Sequence, residues 1–251
     1  MDLQLSGKRA IITGATKGIG KAIAQTLAQE GVDIALCARN LDEVETTIAG
    51  LKQLGINAYG EVVDIQNKQA YESWLAKSVE QLGGIDLFVP NVSAGGGMDG
   101  EENWQRCFEI DMLGTVRGCE ILLPLMKDGG AICLISSTAA VENFIAPQAY
   151  NSIKAGLINY AKHLSQLHAP RKIRVNTVSP GPVFIEEGAW DQIKEHMPEL
   201  YDTTVGQIPM GRMASAEEIA NGVAFLLSPA AGFITGANLR IDGGFTKGIQ
   251  Y

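Results

Sequence analysis

The chain has 251 residues, 46% hydrophobic and 19% charged, a balance that suits a folded domain with a sizeable core and excludes a disordered or fibrous chain. Twenty lysines and arginines against 28 aspartates and glutamates leave a formal charge of −8, so no nucleic-acid partner is expected, because phosphate binding needs a basic stripe. Cys37, Cys107, Cys119 and Cys133 form no C-x-x-C pair and have apolar neighbours, which points to buried free thiols rather than a zinc or redox site.

Short apolar runs alternate with longer amphipathic ones from end to end, the pattern of βαβ units in a parallel sheet. Strands are predicted at Arg9–Thr13, Asp33–Ala38, Ala58–Asp64, Leu87–Pro90, Ala131–Ser136, Arg174–Ser179 and Asn238–Ile241. Helices are predicted at Gly18–Glu30, Leu41–Leu54, Lys68–Leu82, Glu102–Lys127, Pro147–Leu167 and Ala216–Leu227. The expectation is one α/β domain over residues 1–251 with a seven-stranded sheet. The connection from Pro182 to Arg212 is far longer than an ordinary loop and reads as a lid, with six acids against Lys194 and Arg212. The amino terminus has no secretory pattern, and no apolar stretch reaches the ~18 residues of a membrane span, so no membrane partner and a cytoplasmic location are expected.

The first strand runs into Thr13-Gly14-Ala15-Thr16-Lys17-Gly18-Ile19-Gly20 and then a helix. Glycines at such a turn let the backbone approach a pyrophosphate, which the helix amides then hold. A tight strand-to-helix connection would use the same residues. The second strand ends at Ala38-Arg39, where a chain that binds NAD usually offers an acid. Arg39, with Lys17 in the turn, suits the 2′-phosphate of NADP instead. Asp64, ending the third strand, is positioned for an adenine amino group or to cap the next helix.

Tyr150 and Lys154, four apart in a helical segment, project from one face. An adjacent ammonium stabilises a phenolate, which makes Tyr150 a candidate general acid/base. Ser137 closes the fifth strand at the carboxyl edge of the sheet, where its hydroxyl could bond a substrate carbonyl oxygen.

Thr-Gly-x-x-x-Gly-x-Gly after the first strand, a serine thirteen residues before Tyr-x-x-x-Lys, and Ser179-Pro180-Gly181 after the sixth strand resemble the short-chain dehydrogenase/reductases, over essentially the whole chain. Within that family the pattern looks like the 3-oxoacyl-carrier-protein reductases. The resemblance implies a Rossmann, doubly wound sheet with helices on both faces, a nicotinamide cofactor and a homotetramer. It assigns cofactor contacts to Gly14, Thr16, Lys17, Gly18, Ile19, Gly20, Arg39, Asp64, Asn91, Pro180, Gly181 and Val183, the last approaching the carboxamide. Ser137 would orient the carbonyl, Tyr150 would exchange the proton, and Lys154 would hold the nicotinamide ribose while tuning Tyr150. Three positions depart from the family pattern: Pro90-Asn91-Val92-Ser93 keeps one asparagine of Asn-Asn-Ala-Gly, Asp111 replaces the catalytic asparagine, and Ile185 replaces a threonine. Asp111 is retained as a catalytic candidate. The expected activity is NADP(H)-dependent interconversion of a small carbonyl or alcohol substrate; the alternatives are a catalytically impaired NADPH-binding sensor or scaffold, and a 3-oxoacyl-carrier-protein reductase.

Overall fold

Hydrophobic side chains alternate along each strand between the two faces of one sheet, and that alternation builds two cores. In the computed structural model, which describes residues 2–96, 100–143 and 148–249, the strands are β1 (Arg9–Thr13), β2 (Asp33–Ala38), β3 (Ala58–Val62), β4 (Leu87–Val89), β5 (Ala131–Ile135), β6 (Arg174–Pro180) and β7 (Asn238–Ile241). They form a parallel sheet in the order β3-β2-β1-β4-β5-β6-β7. Ala10, Ile12, Ile34, Leu36, Cys133 and Ile135 face one core, while Ile11, Ala35, Ile132 and Leu134 face the other.

The first core is covered by α1 (Gly18–Gln29), α2 (Leu41–Lys52) and α9 (Ala216–Leu227). The second is covered by α3 (Lys68–Leu82), α5 (Gly114–Leu122) and α6 (Ala149–His168). The single helix expected over Glu102–Lys127 is instead α4 (Glu101–Cys107), a π-helical stretch over Phe108–Leu113, and α5. The connection 182–212, read from the sequence as a lid and assigned no helix, holds α7 (Ala189–His196) and α8 (Pro198–Gly206). Its apolar residues Phe184, Trp190, Tyr201 and Val205 pack on a small third core of Ile208, Met213 and Phe245, which explains how it holds helices away from the sheet. All four cysteines are buried and free, and no helix among the described residues is long and apolar enough to cross a membrane.

Connections switch direction between β1 and β4, so the turns after these two strands diverge and leave a crevice at their carboxyl ends. The residues singled out from the sequence, among them Gly14, Arg39, Asp64, Asn91, Ser137 and Gly181, follow the carboxyl ends of their strands.

Candidate active site

The glycine turn is built by close backbone approach. Gly14 takes a left-handed φ of +66°. A Cβ on Gly20 would lie 2.2 Å from the Gly14 carbonyl oxygen and 2.4 Å from Asn91 Nδ2, so that position accepts glycine alone. Asn91 donates from Nδ2 to the carbonyls of Thr13 and Gly14 at 3.1 and 2.9 Å, and the Thr13 hydroxyl accepts the Asn91 and Val92 amides. Asn91 therefore braces the turn across the crevice. Gly18, Ile19 and Gly20 form the first turn of α1, where backbone N–H groups lack intrahelical partners.

Beside this turn lies a cleft of about 410 Å³ whose walls include Thr16, Lys17, Arg39, Glu43, Asp64 and Asn91. Arg39 is exposed and makes no salt bridge or hydrogen bond among the described residues. Lys17 is engaged: its ammonium lies 2.8 Å from Glu43, whose other oxygen accepts the Thr16 hydroxyl at 3.0 Å. The Lys17–Glu43 hydrogen bond is the main cause that holds the ammonium above and the carboxyl below their ordinary ranges. Sequence reasoning passed over Glu43, which meets Lys17 across the turn and carries no local signal of that partner. Asp64 is exposed on the cleft wall and accepts the Gln66 amide, while Asn67, not Asp64, caps α3.

Gly181 packs flat on β7, since a Cβ there would meet Asp242 Cα at 2.8 Å, and its amide bonds Ile241. Pro180 ends β6 and pairs with Ile241. The Val183 side chain is buried. Its flanking Pro182 carbonyl and Phe184 amide bond Ala214, which points the N–H and C=O of Val183 to the opposite side. Ile185 stands over Gly18, where a Cβ would come within 3.1 Å of its Cδ1.

Lys154 is 3% exposed, a position tolerable for an ammonium only when it is paired. It lies 3.0 Å from Asp111 Oδ1 and donates to the Ile135 carbonyl at 2.9 Å. Asp111 is 1% exposed, and its Oδ2 accepts the Ala94 amide at 2.8 Å. Asp111 is buried within the π-helical stretch, and its carbonyl accepts the Thr115 hydroxyl at 2.7 Å. The Lys154 ammonium sits 5.6 Å from the centre of the Tyr150 ring, which is half-buried in the first turn of α6. Ser137 is extended and half-buried at the edge of β5, its oxygen accepting the Ala139 amide. The neighbouring Ser136, which the sequence did not single out, donates from its buried hydroxyl to the Lys154 carbonyl at 2.8 Å and ties α6 to β5. Phe144–Pro147, between Ser137 and Tyr150 in the chain, lie outside the described residues.

The chain matches the family model described as enoyl-(acyl carrier protein) reductase over residues 14–246. It is 34% identical to isoepoxydon dehydrogenase patN of Penicillium expansum, covering 98% of both chains. It is also 34% identical to the 3-oxoacyl-[acyl-carrier-protein] reductase FabG of Vibrio cholerae, covering 96% of this chain and 98% of the other. The fold superposes on L-sorbose reductase of Gluconobacter frateurii, solved with NADPH and L-sorbose, at a TM-score of 0.90 and 30% identity over 99% of this chain and 100% of that one. With a matching family model and full-length similarity on this sheet, the chain belongs to the short-chain dehydrogenase/reductase family of oxidoreductases.

Proposed function

We propose that the protein is an NADPH-dependent oxidoreductase that interconverts a ketone and a secondary alcohol, with Tyr150 as the general acid/base. The observation that carries the reading is the buried Asp111–Lys154 pair beneath the Tyr150 ring, next to a glycine turn that a Cβ would fill. The cleft fits the adenosine end of a dinucleotide: the α1 amides and Gly14, Thr16 and Gly18–Gly20 would hold the pyrophosphate, and Arg39 and Lys17 the 2′-phosphate. Asp64 would face the adenine, with Asn91 supporting the turn. Pro180, Gly181 and the outward backbone of Val183 would border the nicotinamide. When bound, the nicotinamide supplies or accepts the hydride.

Tyr150 gives its phenolic proton to the substrate oxygen in reduction and takes it back in oxidation. The Lys154 ammonium and the positive end of α6 both set positive charge beside the Tyr150 ring. The Ser137 hydroxyl donates to the substrate oxygen and stabilises developing negative charge. Asp111 and Ile135 fix Lys154 in place. Lys154 would also hold the nicotinamide ribose.

The 182–212 segment is proposed to close over a small neutral or cationic substrate. Arg212 is spent on Glu218, and Lys194 lies over the Phe184 and Tyr201 rings, so the acids Glu186, Glu187, Glu195, Glu199 and Asp202 dominate its exposed surface. Such a rim repels an acidic carrier protein. Lys127, Arg171 and Lys172 do not offset it, because they precede β5 and β6 and lie at the amino end of the sheet, away from Ser137. Exposed Trp104, Phe108 and Phe233 fit burial in a homotetramer, and the free thiols fit a cytoplasmic location.

Oxidation of NADPH by a ketone panel, followed by absorbance, tests the reading. Tyr150→Phe should keep NADPH binding and lose most turnover, at least about a hundredfold for one general acid/base. Near-normal turnover in that variant would reject the mechanism, and NADPH binding with no turnover of any ketone or alcohol by the unaltered chain would favour the sensor.

A further inference from the structure

Glu43 spans two residues of the glycine turn, bonding the Lys17 ammonium with one carboxylate oxygen and the Thr16 hydroxyl with the other. It is the third residue of α2, where a glutamate often folds back onto the amide of its own N-cap residue. Asn40 accepts the Glu43 amide at 3.1 Å, yet the Glu43 side chain turns outward across the cleft wall to the glycine turn. Lys17 and Arg39, two of the cations that line the cleft, are therefore unequal. Arg39 is uncommitted, and Lys17 already holds an anion.

We infer that Glu43 is a specificity-determining residue that competes with the cofactor's 2′-phosphate for Lys17, and so holds the preference for NADPH over NADH below what Arg39 and Lys17 would otherwise produce. The inference rests on the dinucleotide reading of this cleft given above. An ammonium that bonds two anions, each at ~2.8 Å, keeps their oxygens within about 6 Å of one another. At that separation a dianionic phosphate and a carboxylate repel even across bulk water by an amount equal to about tenfold in affinity. If the phosphate instead takes Lys17 for itself, the bonds to Glu43 are lost and NADPH binding again bears the cost. NADH has no 2′-phosphate and leaves the bridge intact, so the penalty falls on one cofactor alone.

The test is the dissociation constant of NADPH and of NADH, measured by calorimetry at fixed salt, for the unaltered chain, Glu43→Gln and Glu43→Ala. Glutamine keeps the shape and can still accept from Thr16, and alanine removes the brace as well as the charge. Both variants should bind NADPH about tenfold more tightly and NADH within about twofold of the unaltered chain. NADPH affinity that is unchanged or weaker in both variants would overturn the competition and make Glu43 a brace for the turn, with the dinucleotide reading intact. Failure of the unaltered chain to bind either dinucleotide would overturn both readings together.

Discussion

Asp111 changes the charge of the site without changing its shape. At 3.0 Å from the Lys154 ammonium it offsets part of the positive field beside the Tyr150 ring, where an asparagine of nearly the same shape would carry no charge. In the proposed mechanism, alcohol oxidation uses the Tyr150 phenolate as base. Asp111→Asn should therefore move the pH–rate profile of oxidation to lower pH and leave ketone reduction near neutrality much less affected; profiles measured in both directions decide it, and an unshifted oxidation profile rejects the electrostatic role. Gly20 makes a second prediction at this scale. Since a Cβ would strike the Gly14 carbonyl and Asn91 Nδ2, Gly20→Ala must displace the turn, and dinucleotide affinity measured by calorimetry should fall by at least about tenfold, the effect of losing roughly one charge-assisted contact.

At the scale of elements, the 182–212 segment is tied to α9 by one ion pair. Arg212 grips both oxygens of Glu218 at 2.7 Å, and Glu218 also closes the capping box with Ser215. The Arg212 hydrogen bonds, helped by the Ser215 amide, lower the Glu218 carboxyl from 4.5 to about 2. A lowered carboxyl contributes stability that is fully present above 4.5 and is lost as pH falls toward 2. The pair is exposed, so water screens it and the global effect is small; the local effect is a looser junction. Hydrogen exchange should report faster opening of 212–218 as pH drops from 5 through 3, after correction for intrinsic rates, and Glu218→Gln should abolish that pH dependence. The π-helical stretch is the other element-scale feature. Its extra residue per turn is invisible to a 3.6-residue pattern, so Glu102–Lys127 reads as one helix, although Asp111 meets Lys154 from within the interruption.

Across the whole molecule, burial silences the thiols. Desolvation pushes Cys37, Cys119 and Cys133 up to about 12, and Cys107 is raised by the same cause. Thiolate is the reactive form, so the native protein should resist iodoacetamide at pH 8 and take four adducts once unfolded, as counted by mass spectrometry. Adducts on the folded protein would contradict this packing. The same two-sided core that buries the thiols also sets which charges can act at the site, by sending the strand ends with Arg171 and Lys172 to one edge of the sheet and those with Arg39 and Ser137 to the other.

The amino-acid sequence by itself determined the strands and helices, the glycine turn and the facing of Tyr150 and Lys154. These are encoded by periodicities of two and 3.6 residues and by local backbone sterics, which a linear reading can follow. Its errors were at ends, at the π-helical interruption of the helix expected over Glu102–Lys127, and in the amphipathic 182–212 stretch, where α7 and α8 are short and pack on a separate small core. Only the tertiary structure decided that Glu43 meets Lys17, that Asp111 meets Lys154, that Asn91 holds the glycine turn and that Ser136 anchors α6. Each of these contacts joins residues far apart in the chain through sheet order and crossover geometry, and polar side chains at such positions carry no periodic signal of the partner they will find.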